Sequence, residues 1–227
     1  MDGDLDDVVR RADPHRWLSS RFIVDAQARA DVIALYAFDH QLARAGRVAS
    51  SGLLAEIRLT WWREVLDEIF SGGRVRVHPT ALALSDTVRR RGLPRDPLEA
   101  AVEARIALLE PRRLSAAELG PVSDAIGGAL TTLVATVLDA KVRSDAVAPA
   151  GRAWGLVILS RLGLVPPQEA RLPLAVAHAR RAARGLSVAA FPAVAHLALA
   201  RHVEAPVGVQ IVDQRVRLLW TVATGRL

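Results

Sequence analysis

Leu54-Ala-Glu-Ile-Arg-Leu-Thr-Trp-Trp-Arg-Glu-Val-Leu-Asp-Glu-Ile69 carries apolar side chains at 54, 57, 61, 65 and 69, the three-and-four spacing that gathers them on one side of an α-helix. The same spacing returns at Val32, Leu35, Tyr36 and Leu42 and at Val102, Ile106 and Leu109. Alternation of period two is absent over any useful length, so strands are not expected. Breakers fall between the runs, at Ser71-Gly-Gly73, Arg91-Gly-Leu-Pro94, Glu110-Pro111, Ala148-Pro149, Val165-Pro-Pro167 and Ala205-Pro206. The pattern predicts helices near 15–27, 29–47, 53–70, 77–91, 96–110, 115–140, 148–164, 168–184, 188–203 and 210–224. Ser115-Ala-Ala-Glu118 has the form of a capping box at the start of the sixth, and Asp25 is expected at a helix end. Residues 1–12 are acidic at the start and are expected as a mobile tail.

No composition shift divides the 227 residues, and 51% hydrophobic side chains supply one sizeable core. The fold class is therefore all-α in a single domain over 1–227. Zero cysteines exclude disulfides, a thiol nucleophile and a Cys-type metal site. Four aspartates in the first seven residues are the opposite of a secretory or mitochondrial leader, which predicts a cytoplasmic protein. The apolar stretch 125–138, between Asp124 and Asp139, falls short of the roughly 20 residues that cross a bilayer. A formal charge of +6 comes almost wholly from arginine, Lys141 being the one lysine. No nucleic-acid motif or interleaved aromatic platform accompanies it, so no nucleic-acid partner is predicted.

Ala34-Leu-Tyr-Ala-Phe38 followed by Glu56-Ile-Arg-Leu-Thr-Trp-Trp-Arg63 resembles the squalene/phytoene synthase family. So does the order His78-Pro79, Arg91-Gly-Leu-Pro94, Glu103-Ala-Arg105, Ala125-Ile-Gly-Gly128 and Gly151-Arg-Ala-Trp-Gly155 on to Arg161. The resemblance implies an isoprenoid-synthase-like helical bundle around a central cavity, with the segments 29–47 and 148–164 facing each other across it. In that family two aspartate-rich motifs hold Mg²⁺ ions that stabilise a departing diphosphate. Where the first motif has Asp-Asp-Ile-Val-Asp, this chain reads Ala43-Arg-Ala-Gly-Arg47. Where the second has Asn-Ile-Leu-Arg-Asp and a further acid, it reads Ile158-Leu-Ser-Arg-Leu162 and Pro166. The oxygen ligands are gone, and no metal site or catalytic residue is predicted; Mg²⁺ would be a cofactor only under a transferase reading.

Glu64, Asp67 and Glu68 share one side of a helix, within reach of a cation, but a solvated face opposite the apolar stripe is the preferred reading, because amphipathic helices routinely show this pattern. Asp31 and Asp39 are eight residues apart, too far for one ion. Cavity-lining candidates for an anionic ligand without metal are Arg44, Arg47, Arg58, Arg63 and Arg161, because guanidinium forks pair with phosphate oxygens; Tyr36, His40 and Trp62 complete the set. Tyr36 and Ser20 match positions near the family's diphosphate end. Trp61 and Trp62 diverge by about 100° on a helix, so one packs inward and the other is free. The Gly127-Gly128 pair is expected to permit close packing or a kink. The six histidines form no ligand-spaced pair.

Leu42-Ala43-Arg44 and the Arg-Leu-x-Trp-Trp-Arg segment resemble a branch of the family that lacks the aspartate motifs, the mitochondrial respiratory complex I assembly factor and its bacterial relatives. That resemblance implies a pseudoenzyme that binds a protein partner, an isoprenoid or another lipid, with a role in respiratory complex assembly. The alternatives are a transferase joining prenyl diphosphates head to head, and a lipid-binding protein peripheral on the inner face of a membrane.

Overall fold

The computed structural model describes residues 5–48, 52–110 and 113–202, and scattered positions between 218 and 227. Among these there is no strand, in keeping with the all-α expectation. The helices are α1 (Leu5–Ala12), α2 (Pro14–Ser20), α3 (Ala26–Val48), α4 (Gly52–Ser71), α5 (Pro79–Arg91), α6 (Asp96–Ala107), α7 (Ala116–Ser123), α8 (Ala129–Leu138), α9 (Ser144–Arg161), α10 (Pro167–Ala170), α11 (Leu172–Ala182) and α12 (Pro192–Ala195). A π-helical segment, Asp124–Gly128, joins α7 to α8, and a 3₁₀ segment, His196–His202, follows α12.

Several boundaries follow from local chemistry. Asp13 Oδ1 accepts from the Arg16 N–H at 3.0 Å and Asp25 Oδ1 from the Ala28 N–H at 2.7 Å, so each aspartate occupies an orphan donor in a first helical turn. Glu118 reaches back to the Ser115 N–H at 2.9 Å, the reciprocal half of the expected box. Gly92 ends α5 at φ +60°, a left-handed stop that glycine adopts without strain.

Other expectations are corrected. Residues 5–12 are not a tail: Leu5–Ala12 is a helix whose Val9 is buried, and Asp6 accepts from the Trp17 indole at 2.8 Å and from Arg21 at 2.5 Å. The helix expected over 15–27 stops at Ser20. The helix expected to start at 148 starts at Ser144 and runs through Pro149. Of the stretch expected as a helix over 188–203, residues 188–202 are a turn, one short α-helix opened by Pro192, and 3₁₀ structure. Most of the helix expected over 210–224 lies outside the described residues.

On α4 the expected core stripe is only half right. Val65 and Ile69 are buried, but Leu54 is 43% and Ile57 55% exposed. The face that meets the core is Ala55, Leu59, Trp62 and Leu66. Both stripes are apolar, so periodicity alone does not choose between them.

α3 packs on α1, α4, α5 and α8, while α9 packs on α7, the π segment, α8 and α11. α8 therefore touches both α3 and α9. Residues 116–138 are helical without interruption, long and apolar enough by length and composition to cross a membrane, with 56% of the most apolar window buried inside the fold.

Candidate functional site

A helix turns 100° per residue, so Tyr36 and Asp39 point to one side of α3 while Gln41, Arg44 and Ala45 point away from it. The two sides have different chemistry.

The inner side holds a buried ionic cluster. Asp39 Oδ2 accepts from Arg16 Nη1 at 2.7 Å and Oδ1 from Arg105 Nη2 at 2.9 Å. The Arg16 guanidinium, from α2, lies 5.4 Å from the Tyr36 ring centroid and 5.7 Å from that of Trp154 on α9. Trp154 meets His196 edge-on at 4.8 Å. Tyr36, Trp154, Arg16 and His196 are all under 5% exposed, so side chains occupy the space between α3 and α9. Burial alone would raise the Asp39 carboxyl, but Arg105 and Arg16 outweigh it and hold it below the usual carboxylate range. Burial also pushes the Tyr36 phenol up.

His196 is the group here with a consequence near neutral pH. Burial, reinforced by Arg16 and His15, holds its imidazole well below the ordinary value, so it is neutral when folded. An unfolded histidine takes a proton near pH 6.5, which means the unfolded state binds more protons just below that pH. The contribution of His196 to stability is then flat above about 6.5 and falls as pH drops, by up to ~1.4 kcal/mol per pH unit. Asp39 does not blur this window, because its contribution is lost only below the unfolded carboxylate value of about 3.9. Denaturant unfolding at pH 7 and 5.5 should show a larger drop in the wild type than in His196→Phe, which keeps a ring against Trp154. Equal drops would refute the assignment.

The outer side of α3 forms a cleft with α4 and the loop before α5. Its volume is about 420 Å³, and it is lined by Gln41, Arg44, Ala45, Ile57, Arg58, Trp61, Trp62 and His78. Trp62 is the buried member of the pair and Trp61 is half-buried, their rings edge-on at 4.9 Å. Trp62 also meets Phe38 at 5.4 Å and His78 at 5.5 Å. Burial lowers the His78 imidazole below its usual value, which leaves a neutral ring at the cleft.

Of the residues expected at a ligand site, the fold brings Arg44, Arg58 and Trp62 together in this cleft. Tyr36 is on the opposite side of α3, in the core. His40 is half-buried on α3 and does not line the cleft. Arg63 is paired with Glu103 at 2.5 Å. Arg161 is exposed at the end of α9, within electrostatic reach of Asp13. Arg47 is in the last turn of α3, and its side chain lies outside the described residues. Ser20 donates to the Trp17 carbonyl at 2.7 Å, a helix-end contact. The sequence does not single out Arg16, Arg105, Trp61, His78 or His196 as site residues. Asp39 was the available signal, since a carboxylate on the apolar side of a helix needs a buried cation.

The Mg²⁺ that the resemblance implies does not fit these residues. Both Asp39 oxygens are taken by arginines. Glu64 and Glu68 hold Arg76 at 2.9 and 2.6 Å, and Asp67 pairs with Arg95. Asp31 is held by Arg90 and Arg91 at 2.5 and 2.7 Å. Among the described residues no three Asp, Glu or His side chains stand close enough to hold a metal ion.

Two solved structures are similar in fold. A dehydrosqualene synthase crystallised with a ligand superposes with a TM-score of 0.70 at 13% identity, over 97% of this chain and 94% of that one. Squalene synthase HpnC from Alicyclobacillus acidocaldarius gives 0.60 at 16% identity, over 97% and 92%. No curated protein sequence matches the chain. The family model for squalene/phytoene synthase matches residues 9–221, nearly the whole length, and the chain belongs to the squalene/phytoene synthase family.

Proposed function

We propose that this chain is a non-catalytic member of its family that binds a lipid or protein partner and does not join prenyl diphosphates. The observation that carries the reading is the side-chain chemistry of α3. Its acid positions hold Ala43, Arg44 and Arg47, and the one nearby carboxylate on its inner side, Asp39, is locked between Arg16 and Arg105. Departure of a diphosphate requires neutralising close to three negative charges, a contribution of several kcal/mol when metal ions supply it. Arginines bind the ground-state anion but do not bridge both phosphates from two opposed helices. An assembly role of the kind associated with the branch lacking aspartate motifs is consistent with this chemistry.

Incubating the pure protein with farnesyl or geranylgeranyl diphosphate, Mg²⁺ and NADPH should release no diphosphate above the buffer control. Calorimetric titration with MgCl₂ should likewise show no metal-dependent gain in affinity for a prenyl diphosphate analogue. Product formation that stops on adding EDTA would restore the head-to-head transferase reading.

A further inference from the structure

α4 carries a second stripe that the core covers only in part, Trp61 packing against it half-buried while Leu54 and Ile57 stand exposed. Leu54, Ile57, Arg58 and Trp61, at i, i+3, i+4 and i+7, share one side of the helix, and Ile57, Arg58 and Trp61 line the cleft against α3. An apolar face left to water opposes stability unless something covers it. The polar part of the lining is equally one-sided: it contains Arg44 and Arg58 and no acid. Neither arginine has a carboxylate partner among the described residues, whereas Arg63, Arg76 and Arg95 close by each have one.

The floor is held in place before anything binds. The Arg76 guanidinium lies 5.2 Å from the Trp61 ring centroid and is itself fixed by Glu64 and Glu68. Trp62 is wedged between Phe38 and His78. His78 Nδ1 is buried and has no hydrogen-bond partner among the described residues. A preformed apolar concavity with a few convergent polar groups is the usual form of a small-molecule site, and about 420 Å³ is within the common range of roughly 300–1,000 Å³.

We propose that this cleft binds a single-headed anionic amphiphile as a monomer, its phosphate or carboxylate taken by Arg44 and Arg58 and its hydrocarbon laid over Ile57, Trp61 and Trp62. Chain beyond the cleft continues over Leu54. The proposal deepens the reading of this protein as a binder, and it concerns the side of α3 opposite Tyr36 and Asp39.

The test uses the full chain and three probes below their aggregation concentrations: dodecyl phosphate, dodecanol and inorganic phosphate, each followed by calorimetry. Dodecyl phosphate should bind at least about tenfold more tightly than either of the others, because each of those supplies only half of the interaction. Arg44→Gln/Arg58→Gln should lose that advantage while keeping its unfolding midpoint, since both side chains are exposed. Ile57→Ser, also at an exposed position, should weaken dodecyl phosphate and dodecanol alike. Equal affinity for dodecanol, unchanged binding by the arginine double variant, or binding only to phosphatidylcholine/phosphatidylglycerol vesicles would overturn the proposal. Failure here leaves the product assay untouched, and a positive product assay leaves this titration measurable, so the two readings fail separately.

Discussion

Asp39→Asn is expected to destabilise the protein by about 3–5 kcal/mol, the usual result of removing one partner from a buried ion pair. The carboxylate is the common acceptor for Arg16 and Arg105, whose side chains are 2% and 7% exposed. Asparagine is nearly isosteric, so no cavity forms and the effect is electrostatic. It turns one of the two acceptor oxygens into a donor facing a guanidinium, leaves Arg105 without a counter-charge, and leaves Arg16 only the more distant Asp13, 3.7 Å from its Nε. The matched control is Arg63→Gln, which breaks an ion pair exposed on both sides and should barely move the transition. Urea unfolding of the two variants and the wild type is the measurement, and an Asp39→Asn protein within 1 kcal/mol of wild type would refute this account of the cluster.

The same cluster shows where the sequence runs out. Helices, the stop at Gly92 and the start at Ser115 are legible because capping and turn chemistry are local, although the start at Asp25 falls inside the helix expected over 15–27. The existence of a buried partner for Asp39 is legible too, since the residue lies one turn from Tyr36 on an apolar side. Which cations answer it is not, because Arg16 and Arg105 are 23 and 66 residues away in the chain and look like any other arginine in a sequence rich in them. Similarly, Arg44, Arg58 and Trp62 converge in the cleft, while Arg63, no different in its local sequence, is neutralised by Glu103 across α6. The decision lies in the neighbouring helix, which a single helix's periodicity does not encode. The two apolar stripes of α4 are the same problem in another form: both satisfy the helical spacing, and only packing selects the inner one.

The glycines between the π segment and α9 should be the least replaceable positions outside that cluster. A Cβ on Gly127 would stand 2.6 Å from the Gly155 nitrogen and closer still to the Gly151 carbonyl oxygen. One on Gly151 would meet the Gly127 oxygen and the Gly128 Cα, both at 2.6 Å, and one on Gly155 would overlap the Ser123 carbonyl. These obstacles are backbone atoms, so no rotamer change relieves them and the two segments must separate. Separation would also pull on Trp154, the neighbour of Gly155 that packs against Arg16 and His196. Gly127→Ala and Gly155→Ala are each expected to cost about 2–4 kcal/mol, at the upper end for overpacked cores. Gly120→Ala, in α7 with nothing but its chain neighbours within 4 Å of its Cβ, should instead cost less than about 1 kcal/mol, because only the following Pro121 restricts a helical residue with a Cβ there. The double variant Gly127→Ala/Gly155→Ala discriminates further. Once the first methyl has forced the segments apart, the second finds space already opened, so the pair should cost less than the sum of the singles. Strict additivity would mean the two methyl groups are accommodated by separate local adjustments, and melting of either single variant alongside Gly120→Ala would mean the close approach of α9 to the π segment does not hold the fold together.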